Sequence, residues 1–261
     1  MPGTPQQPTT DATALILAAG RGSRLGSHTD ERPKGMVELL GRPLLAWQIE
    51  SLRAAGLTEI TVATGYRADV IQALGVPTVH NAEWMHTNMV GTLLAAESCF
   101  TNGPVVVSYS DIVYHPDHVR ALCQSGAPLA ITYDRKWHAL WSLRFADPLS
   151  DAETFRAEQG RLTAIGEKPE SLDQVGGQYM GLLRFTPAGF ARVREVVDAA
   201  GADGRRRLDM TTLLRRVLET GMRIDAVPVD GRWLEVDHAD ELAAYETRLA
   251  TGEPWTHDWR W

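Results

Sequence analysis

The run LILAAGRGSRLG at residues 15–26 carries an apolar stretch straight into a turn with glycines at 20, 22 and 26. A short apolar run bounded by glycine reads as a buried strand. The turn behind it can aim successive backbone N–H groups inward on an anion, because glycine adopts the backbone angles such a nest requires. Arg21 and Arg24 add positive charge. Lys34 follows in ERPKGM, after a proline that stiffens the approach. The turn is not a Walker A, since no Gly-Lys-Ser/Thr follows at the right distance. It is not the dinucleotide G-x-G-x-x-G either, because Leu25 takes the place of the third glycine. Taken alone, it reads equally well as a tight strand-to-helix connection.

Working outward, EITVATG (59–65), VPTVH (76–80), PVVVSYSD (104–111) and APLAITYD (127–134) read as strands. Between them PLLAWQIESLRAAG (43–56), residues 68–74, GTLLAAESCF (91–100) and PDHVRALCQSG read as helices, several with Pro at the start and Gly at the end. This alternation predicts βαβ units: an α/β fold with a mainly parallel sheet and helices on both faces. After residue 134 the rhythm changes. WSLRF, GRLTAIGEK and GQYMGLLRF read as strands of an antiparallel extension. Helices over about 187–200 and 210–220, strands RIDAVPV and RWLEVD, and a last helix ADELAAYETRLA follow. The expected organisation is a disordered lead-in over 1–11, one domain over 12–250 and a Trp-rich tail, 251–261.

Composition narrows the function classes. Of 261 residues 44% are hydrophobic and 23% charged, as in a soluble globular protein. The net charge of −7 argues against a nucleic-acid-binding face. No apolar run of roughly 18 residues suggests a membrane span. The first residues lack the pattern of a secretory signal. Cys99 and Cys123 are too few for a disulfide framework or a Cys-rich zinc site, so the expected compartment is the cytoplasm. Of the 26 basic residues only Lys34, Lys136 and Lys168 are lysines. In so arginine-biased a chain each lysine points mildly to a site, because the two cations differ in chemistry.

Acids complete the candidate site. Asp111 ends the strand VVVSYSD, and ligands of an open parallel sheet gather at the carboxyl ends of strands. Glu235 and Asp237 lie two apart and share a face if that segment is a strand. One or two carboxylates with phosphates and water is the usual ligand set of Mg²⁺. Asp111 as a turn residue and Asp237 as a helix N-cap are the alternatives.

Leu17-Ala18-Ala19-Gly20-Arg21-Gly22-Ser23-Arg24 followed by Pro33-Lys34 resembles the signature of the nucleotidyltransferase superfamily, a GT-A-type, Rossmann-like fold in a single domain. The resemblance implies that Leu17, Ala18, Ala19 and Gly20 face a nucleoside, and that Arg21, Gly22, Ser23 and Arg24 hold phosphates. It implies that Lys34 neutralises the α-phosphate, with Arg24 and Lys168 (in IGEKP, or else a surface-turn lysine) stabilising the transition state. Gly91-Thr92 looks like the family's helix start against the base. Asn88 is a base contact or a helix cap, and Ser110 joins the nucleotide-binding set. Asp111, Glu235 and Asp237 would carry Mg²⁺.

The second half of the chain, with D-x-x-W-x-x-L-W-S-x-R-F, G-x-L-T-x-I-G-x-K, GQYMGLLRF and W-L-E-V-D, resembles the phosphocholine and phosphonate cytidylyltransferase-like branch. That implies CTP as donor and a small phosphorylated alcohol or phosphonate as acceptor: phosphocholine, 2-aminoethylphosphonate or 2-hydroxyethylphosphonate. Aromatic faces beside a carboxylate suit an ammonium-bearing acceptor. Trp84, Tyr133, Asp134, Trp137, Trp141 and Tyr179 are the candidates, unless they are ordinary core residues. A homodimer is compatible with the superfamily. The competing readings are a sugar-1-phosphate nucleotidyltransferase using UTP, GTP or dTTP, and a nucleotide-binding module without turnover.

Overall fold

The computed structural model describes residues 11–261. Positions 1–10, most of the expected lead-in, lie outside the described residues. The strands in chain order are β1 (Thr13–Ala18), β2 (Glu38–Leu39), β3 (Arg42–Pro43), β4 (Ile60–Thr64), β5 (Thr78–His80), β6 (Val105–Tyr109) and β7 (Ile112–Tyr114). They continue with β8 (Leu129–Asp134), β9 (Phe155–Glu158), β10 (Arg161–Ile165), β11 (Gln178–Phe185), β12 (Ile224–Val229) and β13 (Trp233–Glu235). The helices are α1 (Leu44–Ala54), α2 (Ala68–Gln72), α3 (Met89–Ala95), α4 (Pro116–Cys123) and α5 (Trp137–Arg144), then α6 (Pro187–Ala199), α7 (Gly201–Arg207), α8 (Met210–Glu219) and α9 (Ala239–Ala250).

Nine strands form one sheet in the order β5-β4-β1-β6-β11-β8-β12-β10-β9. β1 pairs in parallel with β4 on one side and β6 on the other. β11 runs antiparallel to both β6 and β8, so those two share a direction, and β12 joins β8 in parallel. The parallel core is therefore interrupted by the single reversed strand β11. The β9–β10 hairpin is the antiparallel extension at the edge. Its turn places Gln159 and Gly160 at φ of 51° and 75°, the two left-handed positions of a type I′ turn.

Central strands bury both faces, which is why β1 reads as a continuous apolar run and not an alternating one. Ile16 faces the layer of α1, α4, α5 and α9, and Leu15 faces the layer of α3, α6 and α8; both are fully buried. One expectation changes. WSLRF is not a strand: residues 137–144 form α5, with Trp137, Leu140 and Trp141 buried at helical spacing. The Trp-rich tail packs onto the domain. Trp259 is fully buried edge-on to Trp47 at 5.5 Å, and Trp255 lies against Tyr245. No described helix is long and apolar enough to cross a membrane.

Candidate active site

Beyond β1 the chain turns through Gly20, Arg21 and Gly22 into a short 3-10 segment, Ser23–Thr29. Gly20, Arg21, Ser23 and Arg24 are exposed, so the turn is open to an anion. Leu25, sitting where a third dinucleotide-type glycine would be, is fully buried and pins the loop. Thr29, also buried, donates its hydroxyl to the carbonyls of Gly22 and Gly26 at 3.2 Å. Gly22 adopts φ +78°, and a Cβ there would meet the Lys34 side chain at 2.7 Å. The lysine stem thus packs directly under the turn.

The Lys34 ammonium lies 2.8 Å from Asp111 Oδ2 and 2.5 Å from Asp237 Oδ1. Arg24 pairs with the other oxygen of Asp237. What joins these distant residues is the antiparallel pair β13–β7, in register Glu235 to Ile112, with Val236 N–H donating to Asp111 O at 2.8 Å. Asp111 follows the carboxyl end of β6, so the pair sets both carboxylates at the end of the parallel core beside the glycine turn. Burial works against the charge on Lys34, but Asp111, Asp237 and Glu235 outweigh it and hold the ammonium well above its usual range. Burial also pushes the Asp237 carboxyl up, yet Lys34 prevails and holds it below the ordinary aspartate range.

Glu235 stands slightly apart. Arg144, almost wholly buried on α5, donates to Glu235 at 2.6 Å and to Glu241 at 2.7 Å. Burial raises the Glu235 carboxyl above its ordinary range against the pull of Arg144. The second oxygen of Glu241 accepts the N–H groups of Asp237 and His238, capping α9. The N-cap is His238, so Asp237 keeps its side chain for the cluster.

A divalent cation fits this donor set. Asp111 Oδ1 is buried and has no hydrogen-bond partner, and the carboxylates of Asp111 and Asp237 are close enough to share one ammonium. No three His, Cys, Asp or Glu side chains among the described residues are grouped to hold a metal by themselves. The remaining ligands of Mg²⁺ would then be phosphates and water, as is usual for this ion.

A cavity of about 340 Å³ opens beside the cluster. Arg24 and Glu235 of the cluster line it together with the aromatic residues Trp141 and Tyr179 and the acids Glu153 and Asp209. Trp141 and Tyr179 were expected there. Glu153, Asp209 and Trp233 were not. Asp209 was legible only as the N-cap of α8, which it is, its carboxylate accepting from Thr212 N–H at 2.7 Å. Burial raises the Glu153 carboxyl above its ordinary range.

Other expected site residues make different contacts. Asp134 is fully buried, and its two oxygens accept from Lys136 N–H, Gly231 N–H, the Trp233 indole and His257. It has no capacity left for an acceptor. Trp137 is a core residue packed on Trp141. Tyr133 stacks on Phe155 at 4.7 Å, one strand away from the cavity. Lys168 is exposed and donates to the carbonyls of Leu149 and Ser150, so its charge fastens the loop before Asp151 and does not join the cluster. Trp84 packs on Tyr66 across the phosphate turn. Asn88 caps α3, its side chain accepting from Met89 N–H at 2.8 Å, while also lining the cavity. Thr92 is buried, with its hydroxyl accepting from Asn81, and Gly91 makes room for Thr87. Ser110 is buried against Gly35, behind the lysine.

A glycine turn with a lysine beneath it thus lies at the end of the parallel core, facing two carboxylates from distant parts of the chain. Residues 14–172 match the family described as MobA-like NTP transferase domain, and the chain belongs to that family. The CTP:phosphoglutamine cytidylyltransferase of Campylobacter jejuni is 35% identical over 245 residues, 88% of this chain and 97% of that protein. The 2-aminoethylphosphonate cytidylyltransferase of Lancefieldella rimae is 25% identical over 241 residues, covering 89% and 91%. Relatives at lower identity than the first include sugar-1-phosphate uridylyl- and thymidylyltransferases. Among solved structures, the inositol-1-phosphate CTP transferase of T. maritima superposes with a TM-score of 0.73 at 19% identity, covering 94% of this chain and 97% of that one. The fold is shared with that enzyme.

Proposed function

We propose that this chain transfers CMP from CTP to a small phosphate or phosphonate acceptor that carries an ammonium group, with Mg²⁺ as cofactor and pyrophosphate leaving. The observation that carries the reading is the junction of two differently charged spaces. The Lys34–Asp111–Asp237 cluster under the phosphate turn shares Arg24 and Glu235 with a cavity also lined by the acids Glu153 and Asp209. A triphosphate suits the first space and a cation-bearing acceptor the second. Trp141 and Tyr179 line that cavity, and cation–π contacts contribute about 0.5–2 kcal/mol each. CTP as donor is supported by the 35% identical relative, whose own donor is CTP.

The chemistry asks little of general bases. The second pKa of a phosphate monoester is about 6, so the acceptor oxygen is largely anionic at neutral pH. It attacks the α-phosphorus; a new P–O bond forms as the bond to the α–β bridging oxygen breaks, and pyrophosphate leaves with that electron pair. Positioning and relief of charge repulsion are the enzyme's contribution. Arg24 sits between the two spaces, Lys34 supplies a buried positive charge beside the turn, and the glycine turn supplies backbone N–H groups. Bound Mg²⁺, held by Asp111 and Asp237, would neutralise charge on the triphosphate. Glu235, committed to Arg144, shapes the wall beside them. A triphosphate-consuming enzyme of this kind belongs in the cytoplasm.

The test is pyrophosphate release across four triphosphates and a panel of acceptors: phosphocholine, 2-aminoethylphosphonate, 2-hydroxyethylphosphonate and glucose 1-phosphate. CTP with an ammonium-bearing acceptor should give the highest kcat/KM. UTP or dTTP with glucose 1-phosphate as the best pair would replace this reading by the sugar-nucleotide one.

A further inference from the structure

Among the described residues, the most buried ion pair lies outside the cluster and the cavity lining: Asp134 and His257 have no exposed side-chain surface. A buried carboxylate is costly unless hydrogen-bonded on all sides. Asp134 Oδ1 accepts from Lys136 N–H and Gly231 N–H, both at 2.8 Å. Oδ2 accepts from the Trp233 indole at 3.0 Å and lies 2.9 Å from His257 Nε2. The end of β8 is thus tied to the tail, to the β12–β13 turn and to the first residue of β13.

That strand needs outside support. β13 is three residues long and pairs only with β7, and so short a pair is marginal by itself. Yet it leads directly into Glu235 and Asp237. The tail grips it at both ends. Arg232 N–H donates to Thr256 O at 2.8 Å, and Thr256 closes over Gly231, which sits at φ +68° with no room for a Cβ. Trp255 packs on Tyr245, whose hydroxyl donates to the carbonyl of Glu235 at 2.8 Å. Trp259 anchors the tail against Trp47. The Trp233 ring also lies against Trp141, and both line the cavity.

We propose that residues 255–259 are a positioning latch, in which His257, through Asp134, fixes Trp233 and thereby the strand that delivers Glu235 and Asp237 to the site. The proposal deepens the transferase reading and rests on it for its kinetic arm. His257 and Asp134 are positioning residues; neither borders the reacting atoms.

The test compares His257→Ala with His257→Gln, whose side-chain amide can place an N–H where Nε2 stands. Two readouts are taken on the full chain: backbone amide exchange resolved along the sequence, and kcat with KM for CTP. In the Ala variant, exchange over residues 233–237 should speed up about tenfold, the worth of one hydrogen bond to a charged group, while β1 and β4 stay protected. kcat should fall by a similar factor with KM for CTP unchanged, and the Gln variant should recover both. Exchange that rises evenly through the sheet, an unchanged kcat, or a Gln variant as impaired as Ala would overturn the latch. If the Ala variant does not fold, Trp233→Phe, which removes the indole donor to Asp134 along with part of the ring packed on Trp141, is read by its amide exchange over residues 233–237 alone. A wild-type chain inactive with CTP would defeat the transferase reading, and the exchange data would still decide the latch.

Discussion

Lys34 shows how much one side chain can be asked to do. Its stem backs Gly22, and its ammonium holds together two carboxylates that would otherwise repel each other in a half-buried site. Among those carboxylates Asp111 keeps one oxygen buried and unpartnered, the mark of a group built for a ligand. Replacing Asp111 by Asn keeps the volume and removes the charge. We expect turnover to fall by about three orders of magnitude, the scale of a lost electrostatic contact in a transition state. The thermal midpoint should change little, and calorimetry beside a pyrophosphate assay separates the two effects. Position and chemistry of Asp111 were legible in the sequence as an acid at the end of an apolar strand. Asp134, also an acid at a strand end and expected beside aromatic rings to meet an ammonium-bearing acceptor, is instead sealed. Its strand, β8, ends under the tail, and four donors take up its lone pairs.

At the scale of elements, the site is an assembly of ends. Asp111 follows the end of β6, Glu235 ends β13 with Asp237 two residues on, and α5 pairs with Glu235 through Arg144. That arginine has 1% of its side chain exposed and is paired to Glu235 and Glu241 at once. Removing one partner of a buried ion pair leaves uncompensated charge, typically costing about 3–5 kcal/mol. Arg144→Ala should therefore lower the unfolding free energy in urea by about that amount, and an unaffected urea midpoint would contradict the pairing described. In the sequence Arg144 lay within WSLRF, read as a strand. Two aromatics and a leucine alternating with two polar residues fit a strand over five residues. Only the longer spacing of Trp137, Leu140 and Trp141 reveals the helix, and burial at those three positions follows from packing on the sheet. The other helices and parallel strands were legible because their periods and their Pro and Gly boundaries are local.

Across the whole molecule, distant parts of the chain build the acceptor cavity: the phosphate turn, the start of α3, the end of β6, α5, the loop before β9, β11, the start of α8 and β13. Within its lining Glu153 and Asp209 are joined through Thr211, whose hydroxyl reaches both. Glu153→Gln removes charge there without removing volume. KM for an ammonium-bearing acceptor should rise about tenfold, in the range of one lost charge contact, while KM for the hydroxyl analogue 2-hydroxyethylphosphonate stays level. Equal effects on both acceptors would show that Glu153 does not read the ammonium. The chain's own residue order determined the α/β class, the glycine turn with Pro33-Lys34 behind it, and the acids at 111, 235 and 237, because each is written in a window of a few residues. Tertiary structure alone decided that Lys34 and Asp237, 203 positions apart, share a hydrogen bond. It alone decided that Asp134 is sealed, that Lys168 turns to loop carbonyls, and that the Trp-rich tail belongs to the core. Those outcomes depend on the register of β13 on β7 and on which strand ends the tail covers, and contacts between distant segments leave no period or turn signal in either one.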